Sequence, residues 1–100
     1  MPFDPNGPRI QTNVDPRTLL PGEQTSLSAG RLNTQLELLG SKPPIPRYTP
    51  IRVTRPGVVY DGHHGVRAAI QLQNRPITVE IMEGINIPPG EVPISEMPIR

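Results

Sequence analysis

Fifteen of the 100 residues are proline, and their placement constrains where regular structure can form. Proline lacks a backbone N–H and has a fixed φ, so neither a helix interior nor a central strand accommodates it. Pro2, Pro5, Pro8, Pro16 and Pro21 lie in the first 21 residues, Pro43, Pro44, Pro46 and Pro50 in residues 41–50, and Pro88, Pro89, Pro93 and Pro98 beyond Gly84. Residues 1–14 are therefore expected to form a proline-rich arm, with Val14 to Leu20 as the anchored part of the first 21. Residues 15–83 are expected to form an α+β domain and residues 84–100 a loosely packed tail. Hydrophobic residues make up 34% and aromatics 3%, so the core is expected to be thin.

Between the proline clusters the pattern is regular. Ser26 or Ser28 can cap a helix that ends at Gly40, with Leu32, Leu36 and Leu39 on one stripe and Leu38 broadening it. Residues 41–50 read as a stiff polyproline-like connector. Ile51 and Val53 alternate with Arg52 and Thr54, Pro56-Gly57 marks a tight turn, and Val58-Val59-Tyr60 completes a β-hairpin. A second helix is expected over Val66 to Gln73, with Asn74 as its stop. Pro76 then opens a strand in which Ile77, Val79 and Ile81 alternate with Thr78, Glu80 and Met82. The predicted order is helix, hairpin, helix, strand.

The absence of cysteine excludes a disulfide framework, a thiolate zinc site and a catalytic thiol. No apolar run approaches the roughly 20 residues that cross a bilayer. The opening residues lack both the basic and the apolar parts of a signal peptide. A soluble chain without membrane contact is expected. The net charge of +1 conceals an asymmetry, because Lys42, Arg47, Arg52, Arg55, Arg67 and Arg75 face Asp61 alone between residues 41 and 75. A middle third rich in arginine suits a phosphate or carboxylate ligand, although a solvated basic face has the same composition.

The junction Tyr60-Asp61-Gly62-His63-His64-Gly65 carries the chemistry. A strand passing directly into a helix presents free backbone N–H groups at the positive end of the helix dipole, where anions bind. Gly62 permits a sharp turn and close approach, and Arg67, one turn on, can reach back toward a phosphate. His63 and His64 can act as general acid and base, and Asp61 can orient one of them or hold a divalent metal. Asp61 is expected first as the helix cap. Adjacent histidines point about 100° apart on a helix, which suits surface positions better than joint chelation.

The run from Tyr60 to Ala69, with Gln71-Leu72-Gln73, Pro76 and the strand Ile77 to Ile81, resembles the signature of the ParB/sulfiredoxin superfamily. ParB proteins show G-E-R-R-x-R-A-A here and sulfiredoxins G-C-H-R. ParB-like nuclease domains of bacterial polymorphic toxins show D-G-H-H-R and then an Ala-Ala pair. The toxin pattern is the most similar, and Leu19-Leu20-Pro21-Gly22-Glu23-Gln24 resembles its upstream segment. The resemblance implies a small ParB/sulfiredoxin-like fold over roughly residues 15–83, with Gly62 and the following N–H groups facing a phosphate. His64 aligns with the sulfiredoxin His and the first motif Arg of ParB, and Arg67 with the last Arg of the ParB motif. His63 stands where sulfiredoxin has its Cys, which excludes sulfinic acid reduction. Gly65 departs from all three patterns, which place Arg there. Without that guanidinium a phosphate site forgoes a forked, charge-assisted pair of bonds, about 2–5 kcal/mol where the pair is buried and specific.

Three functions are compatible with this reading. The first is a nuclease or toxin effector, using His64 or His63 as base, Asp61, Arg67 and Mg²⁺ or another divalent metal, and inactivated if Gly65 disables it. Such a domain would meet an immunity protein and would reach its target cell as part of a larger toxin. The second is a module that binds a nucleoside triphosphate or nucleic acid without cleavage through Gly62, His63, His64, Gly65 and Arg67, with Arg52 and Arg55 as further nucleic-acid contacts. The third is an interaction domain that retains the fold but not the chemistry. A chain acting alone would be cytoplasmic.

Overall fold

The computed structural model describes residues 1–43 and 50–100, so most of the expected polyproline connector lies outside the described residues. Among the described residues six regular elements follow one another: β1 (Ile10–Val14), α1 (Ala29–Gly40), β2 (Ile51–Val53), β3 (Val59–Asp61), α2 (His63–Gln71) and β4 (Ile77–Ile81). Short 3₁₀ turns span Pro16–Thr18 and Ile94–Glu96. The strands form one mixed sheet in the order β1-β4-β2-β3. β4 pairs antiparallel with β1 and parallel with β2, and β2 pairs antiparallel with β3. The architecture is therefore α+β, with two helices and a four-stranded sheet.

The alternation expected in β4 is present, since Ile77, Val79 and Ile81 are buried. They meet Ile51, Val53 and Val59 of the hairpin in one core. α2 packs into this core through Val66 and Ala69, both fully buried. Their short side chains let the helix lie close to the sheet, where branched strand residues fill the space between. α1 begins at the Ser28 cap, whose hydroxyl accepts the Arg31 N–H at 3.4 Å. Of its leucine stripe only Leu32 is fully buried, while Leu39 packs against the edge of the core. The Arg75 guanidinium donates to the Leu39 carbonyl at 2.7 Å and ties the end of α1 to the start of β4. Among the described residues no helix is long and apolar enough to cross a membrane.

Both proline-rich ends pack into the same core, contrary to the arm and tail expected at residues 1–14 and 84–100. β1 supplies an edge strand, and Phe3 is buried with its ring against Gly57, where any side chain would clash. The Gln11 carboxamide, also buried, accepts from the Asp4 N–H at 3.0 Å and donates to the carbonyls of Asp4 and Pro8 at 2.7 and 3.1 Å. A short polar knot thus substitutes for regular structure across Pro5 and Pro8. At the other end Ile94 and Met97 are buried, and Leu27 pairs with Ile99 in a parallel bridge. Backbone bonds from Leu27 to Pro98 (2.9 Å) and from Arg100 to Leu27 (2.8 Å) hold that bridge.

A docked tail has a measurable consequence. Met97→Ala is expected to lower the unfolding free energy by about 2–5 kcal/mol in urea titration, the range for truncating a buried large side chain. A loosely packed tail would leave stability within about 0.5 kcal/mol of the parent.

Candidate functional site

The site begins with a bulge. Val53 pairs with Val59 but Arg52 pairs with Asp61, so Tyr60 is an extra residue in β3 and the strand bends there. Gly62 follows with φ of 115°, a left-handed conformation that a residue with a Cβ adopts only with strain. It reverses the chain and occupies the cap position of α2 without any side-chain cap bond. Asp61 consequently belongs to β3 and is exposed, rather than serving as the expected cap. α2 starts at His63, three residues before the expected Val66, which brings both histidines and Gly65 into its first turn.

Beside this turn lies a cavity of about 320 Å³. Tyr60 and Asp61 of β3 form one wall, the first turn of α2 from Gly62 to Gly65 the floor, Arg31 and its neighbours on α1 a second wall, and Gln24 a third. Gln24 sits on a loop whose two ends are fastened. Leu20 exchanges backbone bonds with the hairpin, to Gly57 and from Val59, both at 2.9 Å, and Leu27 carries the bridge to the tail. Between these anchors Gly22 passes so close to β3 that a side chain there would run into the Val59 carbonyl oxygen.

One imidazole holds this loop and the other its exit into α1. His63 is buried, 5% exposed, and its Nε2 accepts the Gly22 N–H at 3.0 Å. His64 is half-buried, and its Nε2 accepts the Ser28 N–H at 2.9 Å. A backbone N–H can only donate, so in both rings Nε2 carries the lone pair and Nδ1 the proton. Burial lowers the pKa of His63, the neighbouring His64 lowers it further, and Asp61 opposes them. His64 is lowered by burial and then by the Arg31 guanidinium. Both rings are thereby kept neutral, with the atom expected to act as base already engaged by the backbone.

The expected cations are distributed differently. Arg67 donates to the carbonyls of Ile94 and Met97 at 2.8 and 2.9 Å, so it clamps the tail rather than reaching back to the helix N-terminus. Arg52 lies 3.7 Å from Glu80, which Arg9 also meets. Arg55 pairs with Glu83 and donates to the Gly7 carbonyl at 2.7 Å. The strand pairing thus sets the acidic last quarter against the basic hairpin. Among the described residues the cation lining the cavity is Arg31, exposed on α1. Its position in the sequence, three residues after a helix cap and 30 before Asp61, carries no motif, and the packing of α1 beside α2 brings it to the site.

Among the described residues no group of three or more His, Asp or Glu side chains gathers that could hold a metal ion. No family model, no curated protein and no solved structure matches this chain.

The histidine bonds make two predictions. His63→Leu at pH 7.5 leaves the buried Gly22 N–H without an acceptor, and denaturant titration is expected to show a loss of about 1–3 kcal/mol. Because the folded protein depresses both histidine pKa values below the ordinary 6.5, the unfolded chain binds protons first as the pH falls. Stability is therefore expected to be fully present above about pH 6.5 and to decline below it, a trend that urea midpoints measured between pH 8 and 5 will show.

Proposed function

We propose that the protein is a small phosphate-binding module of the ParB/sulfiredoxin type, which takes the phosphate of a nucleotide or nucleic acid at the N-terminus of α2 without cleaving it. One observation carries this reading: the cavity brings Arg31 opposite the first turn of α2, where Gly62 and Gly65 offer no side chain in the way. Free N–H groups and the helix dipole attract an anion there, and a guanidinium across the cavity supplies the forked bonds that Gly65 removes from the family pattern. A cavity of about 320 Å³ has room for a phosphate group and a ring beside Tyr60.

Cleavage draws less support. A general base needs an accessible lone pair, and the Nε2 atoms of His63 and His64 both accept backbone N–H bonds. Arg67, which the resemblance aligns with a motif arginine, has its guanidinium on the tail.

Calorimetric titration with pyrophosphate, CTP and ATP tests the proposal. Binding is expected at pH 7, with affinity falling tenfold or more in Arg31→Ala, about the range for one charge-assisted bond. Arg31 is exposed, so the variant is expected to fold like the parent. Absence of binding by all three ligands would overturn the phosphate reading. Nicking of supercoiled plasmid by the unaltered chain with Mg²⁺, abolished in His64→Ala, would replace it with the nuclease reading.

A further inference from the structure

The loop between Leu20 and Leu27 is anchored at both ends; within it the Gly22 N–H donates to His63 of α2, and just beyond it the N–H of Ser28, the cap of α1, donates to His64. A protonated imidazole has no lone pair, so neither bond survives protonation of its ring. The same loop carries Gln24, one wall of the cavity beside the α2 N-terminus. We propose that His63 and His64 form an acid-released latch: protonation of His63 frees the stretch from Gly22 to Ser26 and opens that wall of the cavity, protonation of His64 releases the Ser28 N–H at the start of α1, and both rings become cationic donors at the site.

The charges around the pair set the direction. Asp61 of β3 stabilises a proton on His63, whereas the second ring opposes it, and Arg31 of α1 opposes a proton on His64. Glu23 on the loop itself, Glu37 on α1 and Glu96 on the C-terminal turn are exposed and reach solvent. A charged His63 turns a donor toward the Gly22 N–H, and a charged His64 turns one toward the Ser28 N–H beside Arg31, which favours moving the backbone away and letting water in. Leu20 and Leu27 stay in place because their backbone bonds involve no titrating group. An anion in the cavity reverses the sign of the local field, so its binding favours the protonated, open form and protonation favours the anion by the same factor. This coupling rests on the phosphate reading above; the latch itself does not.

Amide hydrogen exchange by NMR measures the latch directly. Ile81, whose N–H bonds the Arg9 carbonyl at 2.7 Å in the sheet, serves as reference. Between pH 7.5 and 5.5 the protection factors of Gly22 and Ser28 are expected to fall about tenfold or more relative to Ile81, the factor that each pH unit of depressed basicity supplies. In His63→Gln/His64→Gln, whose carboxamide oxygens accept at both pH values, that relative fall is expected to vanish. Should the double variant not fold, His64→Gln alone is expected to abolish it at Ser28 and retain it at Gly22. Equal protection changes at Gly22, Ser28 and Ile81, or none, would overturn the latch. Pyrophosphate titration at pH 6.5 in two buffers of different ionisation enthalpy reads the coupling, and net proton uptake is expected. Pyrophosphate binding without proton uptake would overturn the coupling. Loop release at pH 5.5 with no pyrophosphate binding at any pH would overturn the phosphate reading and leave the latch standing.

Discussion

The parallel pairing of β2 with β4 is the constraint from which the remaining structure follows. Two parallel neighbours cannot be joined by a tight turn, so the chain must return across a face of the sheet. Here it does so after the hairpin, through α2, in nine helical residues. The return leaves little slack at its start, and the left-handed Gly62 provides the reversal within one residue. Starting the helix at once after the strand turns its first N–H groups toward the cavity rather than into a loop. The geometry of the site is thus a by-product of strand order, and the histidines gain their positions from the same turn.

Polar groups at this junction are used first to hold the chain together. A core whose one aromatic among the described residues is Phe3, with Val, Ala and Ile at its centre, buries modest apolar area. The fold compensates by fastening irregular segments with single side chains: Gln11 at the N-terminal loop, Arg75 at the end of α1, Arg67 at the tail, and His63 and His64 at the loop over the cavity. Each satisfies backbone groups that prolines and bends leave without partners. The same arrangement explains why a cluster that reads as acid–base machinery has its acceptors occupied. Charge follows the pattern too, since pairing β2 beside β4 brings Arg52 to Glu80 across the sheet.

Local signals in the sequence locate β4, the hairpin and α1, because alternation, the Pro-Gly turn and the Ser28 cap are short-range features. β1 is hidden by its own irregularity. The register slips between Gln11 and Val14, so a glutamine and a valine face inward where strict alternation would place Gln11 and Asn13. The start of α2 is displaced from its expected position because His63 and Gly65 are weak helix formers and its apolar period begins only at Val66. Ile94 and Met97 are isolated apolar residues among prolines, and their burial depends on contacts such as the Arg67 clamp on their carbonyls, 27 and 30 residues away. Of the candidate site, the turn and the histidines are legible in the sequence; Arg31 is not, since its role depends on the packing of two helices distant along the chain.

The bulge in β3 leaves Tyr60 48% exposed at the wall of the cavity. The chain contains no tryptophan and only two tyrosines. A ring whose emission is not overwhelmed by indole, placed where a ligand or a moving loop would alter its surroundings, makes the native protein its own optical probe. Tyr48→Phe would isolate that signal, so events at the junction can be followed by light without attaching any label to a molecule this small.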